Sequence, residues 1–330
     1  MMKKHIIRSI SITVIIFTLL ISSIPILYIS SHLSTYDTYI TQEPLNFETD
    51  PNTPSIEILN LKIDVGNITI NYIDPSVDVG YFVKIEVYIK MCGSKLAGKS
   101  YEDYFNITWQ DNSLQKNFTL EVISDEWFNP SIWFTQKIKV DVTIRKGIVF
   151  DIIATLNEGN VEINVPWGGS FKNLIVNVKN GDIKYDFDDC IIYGNITGII
   201  NSGDLILNSR NAEYTQNSTW SLSTLNGDMD LEIYHYREMG ANVSGTMIKN
   251  RGILSFTYED ASTNIGALFR FPLEPAPLFP PPSVGFKIDN INQTGHYYQS
   301  FDFPAKNNYN LLFNLTVIDI QHLWSFNNST

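Results

Sequence analysis

Six glycines along this chain each open a run in which apolar and polar residues alternate. Gly66 leads Ile68, Ile70 and Tyr72; Gly159 leads Val161, Ile163 and Val165; Gly181 leads Ile183, Tyr185 and Phe187. Gly203 leads Leu205 and Leu207, Gly227 leads Met229, Leu231 and Ile233, and Gly252 leads Leu254, Phe256 and Tyr258. A period of two predicts strands with one buried face and one wet face. Asn or Asp follows each of the first five glycines. That pair suits a tight turn, because glycine takes positive φ at little cost and a short Asx side chain can bond the turn backbone. From Gly159 onward the glycines recur at intervals of 22, 22, 24 and 25 residues. A steady period in the twenties predicts stacked units that bury one continuous core.

Each unit supplies one strand before its glycine and one after it, as in Leu174–Val178 then Ile183–Phe187, or Trp220–Leu225 then Met229–Tyr234. Two all-β folds satisfy this pattern. In a β-solenoid (a parallel β-helix or roll) every unit is a rung and equivalent strands stack in parallel. In an antiparallel β-sandwich, Asn180-Gly181 and Asn226-Gly227 form hairpin turns. The near-constant interval and the matching positions in successive units favour the solenoid, over residues 55–260.

Ahead of the array, Ile56–Val65 and Asn67–Tyr72 flank Gly66, and Tyr81–Met91, Tyr104–Trp109, Asn117–Ile123 and Ile138–Ile144 read as further strands. Residues 31–54, with Pro44 and Pro51, lack periodicity and read as a tether. After Phe271 the register is lost in a proline-containing segment, and Val284–Ile288, Tyr297–Phe303 and Leu311–Ile320 resume strand chemistry. Residues 261–330 therefore read as a C-terminal cap that covers the edge strands of the array. Beyond the N-terminus, no stretch sustains helical spacing.

The N-terminus sets an expected location. Residues 10–30 are apolar and free of Asp, Glu, Lys and Arg, while Lys3, Lys4 and Arg8 precede them. Such a run is long enough to cross a bilayer, and its flanking charges keep residues 1–9 in the cytoplasm and export the rest. The expectation is a single-pass membrane signal anchor with an extracellular ectodomain; a cleaved signal peptide is the competing reading. The chain has a formal net charge of −12, which becomes −15 once Lys3, Lys4 and Arg8 are set aside. With no basic stripe, that balance excludes nucleic acid as a partner. Cys92 and Cys190 are the two cysteines, both in the exported part, where a disulfide between them and two separate buried thiols are both open readings. Asn-x-Ser/Thr sequons at Asn67, Asn106, Asn117, Asn195, Asn217, Asn242, Asn292, Asn314, Asn327 and Asn328 are acceptors for glycosylation if the chain meets that machinery.

The segments LKIDVGNITINYID, VTIRKGIVFDIIATLNEGNVEINVP, NGDIKYDF, SGDLILNS and NGDMDLEIY, within residues 55–260, together resemble the bacterial and archaeal putative-adhesin repeat family. The resemblance implies an exported, strand-rich protein with repeated glycine-aspartate turns and no assigned activity, and it carries over no functional residues. Gly252, which Ile253 rather than Asp follows, and the long aromatic C-terminal segment depart from the family pattern.

Candidate chemistry is sparse. Asp182, Asp204 and Asp228 hold the same place in successive units, with Asn160 before them. Stacked in parallel they form a carboxylate ladder, which either binds Ca²⁺ or caps turns. Asp188 with Asp189, and Asp228 with Asp230, are the acid pairs from which a carbohydrate-active enzyme could be built. His235, His296 and His322 are isolated in sequence. Trp127, Phe128, Trp133 and Phe134, around Asn129-Pro130, suit a hydrophobic plug or a sugar-stacking loop. No G-x-S-x-G, H-E-x-x-H, C-x-x-C or phosphate-loop motif is present. The sequence thus points to a non-catalytic surface protein, adhesin-like or structural, whose partners are the membrane and cell-surface glycans or proteins. It calls for no cofactor beyond the Ca²⁺ alternative. A carbohydrate-active enzyme and a sensor subunit that needs a membrane partner stand as alternatives.

Overall fold

A computed structural model describes residues 37–40, 44–50, 58–75, 80–93, 99–128, 133–236, 239–251, 253–260, 266–270, 285–288, 291–294, 297–299, 310–317 and 321–328. These residues form an all-β structure of a 13-stranded sheet, an 11-stranded sheet and a short 3-stranded sheet, none closed into a barrel. Helical content is limited to the 3₁₀ turns Tyr101–Asp103 and Asp125–Phe128 among the described residues. None of the described helices is long and apolar enough to cross a membrane, and the expected anchor at residues 10–30 lies outside the described residues.

The alternation seen in the sequence sets the burial. In Leu174–Asn180, Leu174, Val176 and Val178 are buried; in Ile183–Asp188, Ile183, Tyr185 and Phe187 are buried. The strand before each glycine and the strand after it lie in different large sheets, and their apolar faces meet in one core. The hairpins of the antiparallel alternative at Asn180-Gly181 and Asn226-Gly227 therefore do not form. Leu174–Asn180 instead pairs in parallel with Ile196–Ser202, and Ile183–Asp188 with Leu205–Arg210. Equivalent positions of successive units are direct register partners, as Ile163 with Tyr185, Tyr185 with Leu207, and Leu207 with Leu231. Two-residue strands Ser170–Phe171, Ile191–Ile192 and Glu213–Tyr214 stack in the same way to make the third sheet.

The first unit sits inside the stack. Ile58–Val65 pairs with Asp151–Glu158 on one side and with Gln115–Val122 on the other; Asn67–Ile73 lies between Val161–Val165 and Trp133–Arg145. Residues 74–150 thus run outward, lay down the antiparallel strands Val83–Gly93 and Phe105–Asp111, and return to fill the gap. The other end repeats the arrangement. Asn310–Val317 and Gln321–Asn328 stack directly on Val243–Arg251 and Ile253–Asp260, while the earlier Gly266–Arg270 and Gly285–Ile288 lie farther out. Antiparallel Tyr297–Gln299 and Ile291–Thr294 close that end. Part of the stretch read as a tether also pairs: Asp37–Ile40 and Leu45–Glu48 both lie antiparallel on Val83–Gly93.

Candidate functional site

The glycine corners are built from backbone geometry. Gly66, Gly159, Gly181, Gly203 and Gly227 take φ between 129° and 139°. A Cβ on Gly159, Gly181, Gly203 or Gly227 would lie 1.9–2.0 Å from the carbonyl oxygen of the glycine one unit earlier. Glycine is required there by conformation and by contact together.

The Asx residue after each glycine completes the corner, though not by capping its own turn. Asn67 Oδ1 accepts the backbone N–H of Asn160 at 3.0 Å, and Asn160 Oδ1 that of Asp182 at 2.9 Å. Asp182 accepts from Asp204 at 2.9 Å and Asp204 from Asp228 at 2.7 Å. Each side chain thus serves the neighbouring unit and meets a backbone donor that needs an acceptor. Of the carboxylates proposed as Ca²⁺ ligands, those of Asp182 and Asp204 each have an oxygen engaged in the stack. Among the described residues, no group of three His, Cys, Asp or Glu is placed to hold a metal ion.

A second ladder runs along another corner. Asp151 Oδ1 accepts the N–H of Asn173 at 3.0 Å, Asn173 Oδ1 that of Asn195 at 2.8 Å, and Asn195 Oδ1 that of Thr219 at 2.9 Å. Sequence reasoning on glycine missed it, although its first three members share the 22-residue spacing. The sequon residues Asn67 and Asn195 are therefore structural acceptors through Oδ1. Asn67, Asn106, Asn195, Asn217 and Asn242 are exposed, Asn117 and Asn314 are half-buried, and the side chains of Asn292, Asn327 and Asn328 lie outside the described residues.

The two acid pairs lie apart from each other. Asp188 is the last residue of Ile183–Asp188 and Asp189 follows it, held at φ 50° with its N–H donated to the Arg210 carbonyl; Asp228 precedes Met229–His235 and Asp230 is its second residue. Six residues of strand, about 20 Å, separate the two positions. His235 is buried and neither ring nitrogen has a hydrogen-bond partner among the described residues; His322 lies in register with Leu254, at the far end of the strands, and His296 lies outside the described residues. Ser209, Tyr214 and Trp220 are buried with it, and the Tyr214 ring lies 6.4 Å from His235 and 6.3 Å from Trp220.

At the antiparallel end, Trp127 is buried edge-on against Phe105, with ring centroids 4.5 Å apart, while Phe128 is exposed. The side chains of Trp133 and Phe134 and the turn at Asn129-Pro130 lie outside the described residues. Cys190 carries a free, buried thiol. Cys92 lies on Val83–Gly93, four strand positions along the large sheet from the strand that leads into Cys190. Four steps amount to about 19 Å, well beyond the roughly 7 Å Cα separation that a bridge tolerates.

The outer faces of the two large sheets differ in charge. On the 13-stranded sheet, Glu162, Lys184, Ile206 and Asp230 form one outward row and Asn164, Asp186, Asn208 and Glu232 the next, with Lys184 paired to Glu162 at 2.7 Å. On the 11-stranded sheet, Ile153, Ile175, Thr197, Ser221 and Thr246 form one row, and Thr155, Asn177, Ile199, Ser223 and Ile248 the next. Five of the first eight residues are charged and none of the second ten.

No family model matches the chain, and no curated protein matches it. Among solved structures, the chain is similar to a putative cell adhesion protein from Clostridium sporogenes ATCC 15579, at 12% identity and a TM-score of 0.36, covering 87% of this chain and 100% of that one. A putative adhesin from Bacteroides fragilis NCTC 9343 is similar at 9% identity and a TM-score of 0.28, over 89% of this chain and 97% of that one. A putative lipid binding protein from Parabacteroides distasonis ATCC 8503 is similar at 9% identity and a TM-score of 0.28, over 88% and 98% of the two chains.

Proposed function

We propose that the stacked units are a β-solenoid, held at a cell membrane by a signal anchor over residues 10–30, with the N-terminus cytoplasmic and the array extracellular. Its role is non-catalytic: adhesion, envelope structure or display of a binding surface toward cell-surface glycans or proteins. The observation that carries this reading is the in-register repetition of outward positions along two broad sheet faces. A periodic surface makes many weak contacts with an extended partner, and their sum gives avidity without any single deep site. The two acid pairs that would serve a glycosidase lie at opposite ends of the strands, which supports binding over turnover.

The test uses the full chain in lipid vesicles, incubated with intact cells and with envelope polysaccharides while released sugar is followed. Saturable retention without released sugar is expected. Release of sugar, abolished by Asp228→Asn or Asp188→Asn, would replace this reading with an enzyme. Protease added outside intact cells is expected to degrade the array, and full protection would overturn the extracellular placement.

A further inference from the structure

Two adjacent outward rows of the 11-stranded sheet, Ile153 to Thr246 and Thr155 to Ile248, carry no charge on a chain of net charge −12, with Asp151 and Lys179 on the rows that flank them. Ile199, Leu225 and Ile248 stand on this face 42%, 46% and 41% exposed, in strands that neighbour one another. Sheet faces that mix Ile and Leu with Ser and Thr are suited to interdigitate with another sheet about 10 Å away. We propose that this face is the docking surface for a second copy of the chain, paired face to face about a two-fold axis.

Charge selects the occupant. Two copies of an acidic protein repel wherever their carboxylates meet, and the outward rows of the 13-stranded sheet would set Asp186, Asp230 and Glu232 against their own counterparts. The two uncharged rows carry no such penalty, so they are where like can meet like. An isologous pair needs only a self-complementary patch, and flat rows of small and large side chains provide one.

Size agrees. Six strands, from Asp151–Glu158 through Asn310–Val317, at about 4.8 Å each and about 23 Å long give a footprint of roughly 660 Å² per copy. Two copies bury about 1,300 Å², within the range of specific protein interfaces. The sequons Asn117 and Asn314 lie in the same outward row as Thr197, Ser221 and Thr246, one beyond each end of it, and no sequon falls between them in that row. Pairing through the patch therefore requires Asn314, on its outermost strand, and Asn195, one outward row from Thr197, to carry no glycan.

The test uses the full chain in detergent micelles, in a Cys92→Ser background, with mass measured by sedimentation. Twice the chain mass is expected. Ile199→Glu with Ile248→Glu is expected to halve it at an unchanged melting temperature, because both side chains already face solvent. Ser223→Cys, near the patch centre, is expected to give a disulfide-linked dimer under mild oxidation, and Glu232→Cys on the other sheet is not. A single chain mass for the parent overturns the proposal. So does a dimer that survives the double substitution with no Ser223-dependent cross-link. A monomer retained by a neutral polysaccharide, and released from it by the same two substitutions, would reassign the face to a glycan.

Discussion

The carboxylate of Asp182 accepts the backbone N–H of Asp204 at 2.9 Å, one unit further along the stack. Asn67 and Asn160 make the same bond with an amide oxygen, at 3.0 and 2.9 Å. The ladder therefore uses an acceptor and has no need of the charge. Asp204→Ala is expected to leave the Asp228 N–H without this partner and cost about 0.5–1.5 kcal/mol, the net range for a hydrogen bond whose freed donor can reach water. Asp204→Asn is expected to be neutral or slightly stabilising, since it keeps the acceptor and removes one of three like charges spaced about 4.8 Å apart. Thermal melts of the two variants check this, and adding millimolar Ca²⁺ is expected to move neither curve. A large Ca²⁺-dependent rise in the parent, lost in Asp204→Asn, would restore the metal reading.

Two glycines separate conformational strain from steric exclusion. Gly203 has φ 135° and its added Cβ would lie 2.0 Å from the Gly181 carbonyl oxygen; Gly147 has φ 87° and nothing within 4 Å. Gly147→Ala pays the backbone penalty alone, about 1–2 kcal/mol. Gly203→Ala must also push two units apart, and is expected to exceed about 4 kcal/mol, the exceptional end of single substitutions. Denaturant midpoints should rank the parent above Gly147→Ala and Gly147→Ala far above Gly203→Ala. Equal effects would mean that the corner yields without disturbing its neighbours.

Much of this architecture was legible because burial follows a local period. The alternation from Ile183 to Phe187 is the burial pattern observed, and Tyr81–Met91, Asn117–Ile123 and Ile138–Ile144 each fall on strands. The parallel pairing of successive units followed from their constant interval, but the partners of the first unit were not legible, because alternation says which side of a strand is buried and nothing of what lies beside it. Val161 stacks on Ile68 across 93 residues of sequence, since the intervening chain leaves to build the end of the stack. The strand Gln321–Asn328 went unread and proves to be part of a regular layer. The Asp182, Asp204 and Asp228 row was visible from spacing, whereas its true acceptor role needed the direction of the neighbouring N–H. The charge difference between the faces was hidden for a related reason: the two strands of each unit must first be assigned to different sheets.

His235 makes the fold sensitive to acid. Burial holds its pKa down to about 4, against about 6.5 for an exposed imidazole, and the Tyr214 ring lies edge-on to it at 6.4 Å. A depressed value means that the unfolded chain takes up the proton first. The stability that neutral His235 permits is therefore complete above about pH 6.5 and is lost as pH falls towards 4. The shift corresponds to about 3 kcal/mol. His235→Phe fills the same space without a titrating group, so the difference in stability between parent and variant is expected to grow in the variant's favour from pH 7.5 to pH 4.5. A difference that stays constant over that range would show that the ring is not buried neutral.

Cys190 reports on the same interior from its corner. Its thiol is pushed up to about 12, by burial first and then by the nearby carboxylates of Asp188 and Asp189. Only the thiolate attacks a disulfide reagent, so at pH 8 a thiol with that pKa is about a ten-thousandth ionised. Its carbonyl also accepts the Glu213 N–H at 2.9 Å, which ties the residue into the stacked short strands. In a Cys92→Ser background the native protein is expected to resist an aromatic disulfide reagent for hours and to react within seconds once unfolded in guanidinium. Because labelling then requires opening, its rate measures how often that corner comes apart, and Asn211→Ala, which removes the acceptor for the Tyr236 N–H one unit further on, should speed it several-fold. Rapid labelling of the native parent would place the thiol at the surface and remove the short third sheet from the closed core.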